Sequence, residues 1–74
     1  MENENNLEKY QNKIDLILPA YNEQESIKKC IDDFESLKIF KSIIVIDNNS
    51  TDNTEIEIRK TKAIYIQEKE QGYG

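Results

Sequence analysis

The chain has 74 residues, and its 10 basic and 15 acidic residues give it a formal net charge of −5. A chain this short forms at most one small domain, which buries only roughly 60% of the surface that the unfolded chain exposes. The negative charge argues against a protein that binds nucleic acid by neutralising phosphates. The absence of histidine excludes Ser-His-Asp and Cys-His nucleophile arrangements.

The N-terminal segment 1–13, MENENNLEKYQNK, is almost entirely polar. It cannot bury enough surface to offset an ordering entropy of roughly 1–2 kcal/mol per residue, so we predict a polar, disordered tail. The segment lacks the regions of a signal peptide, and no stretch of the chain approaches the ~20 apolar residues of a membrane span. Together with the single cysteine, Cys30, these features predict a cytoplasmic protein.

The first strand is predicted at residues 14–18, where an apolar run is closed by Pro19, which cannot donate a ladder hydrogen bond. A helix is predicted to follow, with Asn22 as its N-cap and Glu25 completing a capping box. Five apolar residues then recur at helical spacing, which predicts that they face the core: Ile27, Cys30, Ile31, Phe34 and Leu37.

The second strand is predicted at residues 43–46, because a continuous β-branched run is typical of a strand covered on both faces. The polar stretch 47–54, DNNSTDNT, predicts a loop. Asp52 with Glu55 indicates the start of a second helix. A third strand is predicted at residues 63–66, and QGYG at 71–74 is predicted to be a loop.

The alternation of strands and helices predicts an α/β fold in which residues 14–74 form a βαβαβ unit with right-handed crossovers and a parallel sheet in the order 3-2-1. This is half of a doubly wound, Rossmann-like domain, and its open apolar edge predicts a marginal, aggregation-prone monomer. Ligands of such sheets bind beyond the carboxyl ends of the strands. The polar loops 19–23 and 47–52 are both expected at that edge.

The composition of these loops excludes several common sites. The first loop has no glycine, which argues against a dinucleotide site, and no P-loop pattern occurs in the sequence. The DNNSTD stretch fails as a calcium loop, because Asp52 replaces the required glycine and Ile58 the required glutamate. Ser50 and Asp52 are interpreted as helix caps.

A nucleoside site remains consistent with the residue types. The Asp47 carboxylate, partly desolvated at a strand end, could accept a hydrogen bond from a nucleobase N–H, and Tyr21 could stack on the base. Asn22 and Glu23 could bond base or ribose. The structural alternative is equally open, because Asp47 could simply form a turn and residues 19–22 could serve only as strand exit and cap.

The sequence resembles the opening of family 2 glycosyltransferases, in particular the polyprenyl-phosphate (dolichyl-phosphate) sugar transferases. The resemblance rests on IDLILPAYNE at 14–23, IIVIDNNSTDNT at 43–54 and QGYG at 71–74. It implies a nucleotide-sugar-binding domain of the glycosyltransferase A type. The residues that it implies for nucleotide binding are Pro19, Ala20, Tyr21, Asn22, Glu23, Asp47, Asn48, Gly72 and Gly74.

The resemblance also implies transfer of a sugar from a nucleotide diphosphate to an acceptor, with polyprenyl phosphate, a membrane lipid, as one acceptor class and Mg or Mn as the metal of the full-length family. The metal-binding Asp-x-Asp motif occurs nowhere in these 74 residues, and Asn48 stands where many relatives carry an acid. We therefore expect a nucleotide-binding fragment with no catalytic or metal-binding residues, inactive alone, whose partner is the remainder of a split enzyme.

Two other readings remain open from the sequence. The first is a stand-alone, non-catalytic nucleotide-binding or interaction module built on the same half-sheet. The second is a receiver-like signalling domain with Asp47 as phosphoacceptor, which would need more strands than the sequence supplies.

Overall fold

The computed structural model describes residues 12–69. Its elements follow the order strand β1, helix α1, strand β2, helix α2, strand β3, with these bounds: β1 Ile14–Ala20, α1 Ile27–Glu35, β2 Phe40–Asp47, α2 Thr54–Arg59 and β3 Ile64–Gln67. The predicted tail, apart from its last two residues, and the predicted loop with Gly72 and Gly74 lie outside the described residues.

The three strands form one parallel sheet with β2 at its centre. This confirms the predicted α/β fold and the order 3-2-1, which is the same order read from the other edge. Parallel neighbours require a crossover, and α1 and α2 supply one each. Ala20 lies opposite Asp47, which lies opposite Gln67, so all three strands end at the same edge.

The core lies between the helices and one face of the sheet. Ile27 and Ile31 of α1 and Ile58 of α2 pack with Ile43 and Val45 of β2. These side chains are buried because successive strand residues point to opposite faces, and residues 43, 45 and 47 share the face that the helices cover. The core is small, as expected for so short a chain.

The opposite face of the sheet is covered by nothing within residues 12–69. Across it, Ile17 lies beside Ile44 and then Ile64, and the next row ends at Ile66, which is 45% exposed. The prediction that β2 is covered on both faces is therefore wrong for the described residues, since Ile44 is only half-buried. A β-branched run therefore indicates a strand but does not show whether both faces of that strand are buried.

Strand β1 continues through Pro19 to Ala20, so the prediction that Pro19 ends the strand is wrong. The Ala20 carbonyl accepts a hydrogen bond from the Asn48 N–H at 2.7 Å, so the backbone groups of Ala20 face β2. The backbone of Pro19 therefore faces the open edge, where its missing N–H costs no ladder hydrogen bond.

Both helices begin later than predicted. Helix α1 begins at Ile27 after a turn in which the Glu23 carbonyl accepts from the Ser26 and Ile27 N–H groups. Asn22 has a φ of 49° and does not cap α1, so the predicted capping box with Glu25 is wrong. The Asn22 side chain instead accepts a hydrogen bond from the Thr51 N–H, in the loop that follows β2, and so is not available to cap α1.

Smaller differences concern element ends and exposure. Strand β2 begins at Phe40 rather than residue 43, α2 begins at Thr54, and β3 begins at Ile64. Cys30 is half-buried and lies outside the buried core, and Leu37 lies beyond the end of α1 and is 53% exposed. Of the five residues predicted to face the core, only Ile27 and Ile31 are therefore buried.

We expect Ile31→Ala to lower the free energy of unfolding by about 2–5 kcal/mol, because it empties a fully buried site. The matched change Ile17→Ala, at a side chain that is 58% exposed, should alter it by no more than about 0.5 kcal/mol. Urea unfolding followed by circular dichroism measures both. Equal losses at the two positions would contradict the assignment of a single covered face.

Candidate functional site

Two loops meet at the carboxyl edge of the sheet: the first loop, residues 21–26, after β1, and the second loop, residues 48–53, after β2. The Asn22 N–H donates to Ser50 Oγ at 2.8 Å, and the Thr51 N–H donates to Asn22 Oδ1 at 2.8 Å. Asn22 therefore uses both its backbone and its side chain to hold the second loop. This double contact accounts for its left-handed conformation, which asparagine tolerates better than most residues.

Further hydrogen bonds join the loops on the side of the helices. The Gln24 N–H donates to Asp52 Oδ2 at 3.3 Å, and the Asn53 N–H donates to Gln24 Oε1 at 2.9 Å. The Glu23 N–H donates to Thr54 Oγ1 at 2.7 Å, at the first residue of α2. The two loops thus form one hydrogen-bonded unit although they are separated by 28 or more positions in the sequence.

Asp52 and Thr54 organise the start of α2. Asp52 Oδ1 accepts from both the N–H and the hydroxyl of Thr54. The N-cap position of α2 is Asn53, so the interpretation of Asp52 as the helix cap is wrong by one residue. Burial opposes ionisation of Asp52, but hydrogen bonds from Thr54 and from the Gln24 N–H outweigh it and lower the pKa of its carboxyl. Ser50 does not cap α2, because its hydroxyl is bonded elsewhere.

The Asp47 carboxylate lies beneath the second loop and is 2% exposed. Its Oδ1 accepts hydrogen bonds from the Ser50 N–H at 3.1 Å and from the Ser50 hydroxyl at 2.5 Å. Its Oδ2 accepts from the Tyr65 hydroxyl at 2.7 Å. Burying a carboxylate is costly unless donors satisfy its oxygens, and here the donors come from the second loop and from β3.

Tyr65 was not among the predicted site residues. Burial raises the pKa of its phenol, and the hydrogen bond to Asp47 and the negative charge of that residue raise it further, so Tyr65 is a protonated donor at neutral pH. The Arg59 guanidinium carbon lies 4.6 Å from the centre of the Tyr65 ring. Its position follows from the observed strand register, since Tyr65 pairs with Val45 on the face that also carries Asp47.

The predicted site residues within the described range lie at one edge. Tyr21 is 55% exposed, and Pro19, Glu23 and Asn48 are exposed, whereas Ala20 is buried. The same edge of the sheet therefore carries an exposed aromatic ring and a carboxylate that is almost completely buried. Gly72 and Gly74 lie outside the described residues.

The chemistry available at this edge is that of hydrogen bonding and stacking. Residues 12–69 contain no group of three or more histidine, cysteine, aspartate or glutamate side chains arranged to hold a metal ion. The described residues therefore offer no such cluster to the metal implied by the resemblance, and we derive no step through it. Within the same range, no helix has the length and apolar character needed to cross a bilayer.

Comparison with known proteins identifies the lineage. The model of the family described as Glycosyl transferase family 2 matches residues 15–74, which is most of the chain. The chain belongs to glycosyl transferase family 2. This membership agrees with the three parallel strands of a partial Rossmann-like domain.

A curated relative of this family 2 chain is Protein RfbJ of Shigella flexneri, which is 54% identical over 41 residues. The aligned stretch covers 55% of this chain and 32% of RfbJ. The chain thus matches about a third of the length of that relative. No solved structure matches the chain significantly.

We expect Thr54→Val to lower the free energy of unfolding by about 1–3 kcal/mol, because it leaves the Glu23 N–H without its acceptor and removes one of the two donors to Asp52 Oδ1. The matched control is Thr51→Val, because the Thr51 hydroxyl is exposed and makes a single long hydrogen bond, at 3.4 Å, to Asn22 Oδ1. It should alter stability by no more than about 0.5 kcal/mol. Equal effects in urea unfolding would show that Thr54 does not join the loops.

Proposed function

We propose that the chain is the nucleotide-sugar-binding part of a family 2 glycosyltransferase, with the nucleoside held across the two joined loops. The observation that carries this proposal is the direct bonding of the loops after β1 and β2 at the carboxyl edge, where parallel α/β sheets bind ligands. Family membership supports a nucleotide sugar as the ligand class.

Tyr21 is proposed to form the stacking surface for the base. It follows β1 directly, and its neighbour Ala20 is buried against the core, so the chain that carries the ring is fixed in position. Because half of the Tyr21 side chain is exposed, an aromatic base can cover it without displacing core residues. Stacking of a base on an aromatic side chain contributes about 1–3 kcal/mol.

Asp47 is proposed to accept a hydrogen bond from a base N–H. In a site so poorly exposed to water, a hydrogen bond to a carboxylate is stronger than at the surface. Asn48 and Glu23 are exposed in the two loops and are proposed to bind further polar atoms of the base or ribose. Pro19, Gly72 and Gly74 remain proposed members of the site on the resemblance alone.

The transfer reaction itself, and polyprenyl phosphate as acceptor, are proposals for a longer protein that supplies metal-binding and acceptor-binding residues. The sequence has no Asp-x-Asp motif, and the described residues supply no three-ligand cluster. We therefore propose that these 74 residues bind the donor nucleotide and do not transfer sugar by themselves. The loops alone fix the nucleoside end of the donor.

We expect the purified chain to bind a nucleoside diphosphate and Tyr21→Ala to weaken that binding about tenfold or more. The matched control is Leu37→Ala, whose side chain has a similar exposure of 53% but lies beyond the far end of α1. Isothermal titration calorimetry measures both affinities.

Equal weakening by the two substitutions would contradict the stacking role of Tyr21, and no binding by the unmodified chain would contradict the proposed function. The same preparation is expected to release no sugar from a nucleotide sugar supplied with Mg²⁺ or Mn²⁺. Metal-dependent turnover in that assay would overturn the proposal that the chain only binds.

A further inference from the structure

A cavity of about 560 Å³ lies at the amino edge of the sheet, where the strands begin, opposite the two joined loops. Its lining includes the turn after α1, the first residues of β2 and the turn before β3. Among the lining residues are three exposed lysines, Lys38, Lys41 and Lys62, and a single acid, Glu35. The lining is therefore basic in a chain whose net charge is −5.

The cavity lysines differ from the basic residues on the helices in having no acidic partner. Within residues 12–69, four basic residues form ion pairs with acids three or four positions away: Lys28, Lys29, Arg59 and Lys60. None of the three cavity lysines forms an ion pair in that range. Three segments that are distant in sequence thus bring three uncompensated positive charges to one cavity.

A structural role does not account for these lysines. A lysine beyond a helix C-terminus interacts favourably with the helix dipole, which fits Lys38 after α1. Lys41 belongs to β2, however, so the dipole does not explain it. Lys38 also has a φ of 59°, a left-handed conformation that glycine adopts with less strain.

The cavity also has an apolar side, to which Phe40, Ile43 and Ile64 contribute. Ile64 is 49% exposed and belongs to the open face of the sheet, together with the exposed Ile17 and Ile66. Apolar surface therefore continues from the lysines across that face. A soluble phosphate would leave this surface in water, whereas a phospholipid presents an anionic headgroup next to hydrocarbon.

We propose that the amino edge docks on a bilayer surface rich in anionic phospholipids, with Lys38, Lys41 and Lys62 on the headgroup phosphates and the exposed isoleucines against the acyl boundary. Basic residues near such a surface each strengthen binding, and three of them together contribute roughly a hundredfold. The inference does not depend on nucleotide binding, because the two joined loops lie at the opposite edge and remain free.

The test is cosedimentation of the 74-residue chain with vesicles of phosphatidylcholine, alone or mixed with phosphatidylglycerol. We expect the partition coefficient to be about tenfold or more higher with phosphatidylglycerol. The combined variant Lys38→Gln, Lys41→Gln, Lys62→Gln should lose about tenfold or more of this binding. Added salt should weaken the binding of the unmodified chain, because it screens exposed charges.

The matched control replaces three exposed lysines away from the amino edge by glutamine, and so changes the net charge by the same amount: Lys28, Lys29 and Lys69. The first two lie in the first turn of α1, and the third follows β3. The control should retain vesicle binding to within about twofold, since charges more than roughly 10 Å from the surface are screened. Equal losses in the two variants would overturn the inference, because net charge alone would then explain the binding.

Other outcomes would also overturn the inference. Absence of vesicle binding by the unmodified chain is one. Binding of inorganic pyrophosphate without vesicle binding would show that the lysines form a site for a soluble anion. Self-association in place of vesicle binding, measured by sedimentation velocity, would show that a second copy covers the open face. Circular dichroism shows whether each variant keeps its fold, and the comparison of the two kinds of vesicle needs only the unmodified chain.

Discussion

A buried carboxylate must find donors for its lone pairs, and this requirement at Asp47 organises the functional edge of the protein. Removing a donor from such a group costs roughly 1–3 kcal/mol or more, since the charge then lacks both water and a partner. Ser50 and Tyr65 meet the requirement here. Ser50 in turn accepts from Asn22, so one carboxylate links the second loop, the third strand and the first loop.

The parallel sheet makes this arrangement possible. It brings the ends of β1, β2 and β3 to one edge, where residues far apart in sequence become neighbours. The helices cover only one face, and Ile17, Ile64 and Ile66 on the other face are exposed. The polar network at the carboxyl edge therefore adds connections between elements that the small core does not supply.

The fold could be predicted from the sequence because each element has a strong local signal. The apolar runs of β1 and β2, the helical spacing around Ile31 and the polar loops between them fix the order of elements, and the right-handed crossover rule then fixes the strand order. The location of the polar loops at one edge follows from that order. Family membership, shown by the match over residues 15–74, agrees with the resemblance carried by the same stretches.

The details that could not be predicted depend on contacts between distant residues. Asn22 has the side chain of a helix cap, but the second loop offers it a backbone N–H and a serine hydroxyl. Pro19 indicates the end of a strand, and only the pairing of β1 with β2 shows that its backbone faces the open edge, where a missing N–H is tolerated. Tyr65 carries no local sign of its role, which arises only when β3 is paired with β2 in the observed register.

The most direct test of the account is a nuclear magnetic resonance titration of the chain with UDP. The account predicts that backbone amides of both loops, including those of Asn22, Asn48 and Ser50, shift together with one midpoint, because the loops respond as a single unit. Amides at the opposite edge, such as that of Lys41, should remain unchanged. Shifts confined to one loop, or centred on the opposite edge, would contradict the claim that the two loops form one nucleotide site around Asp47.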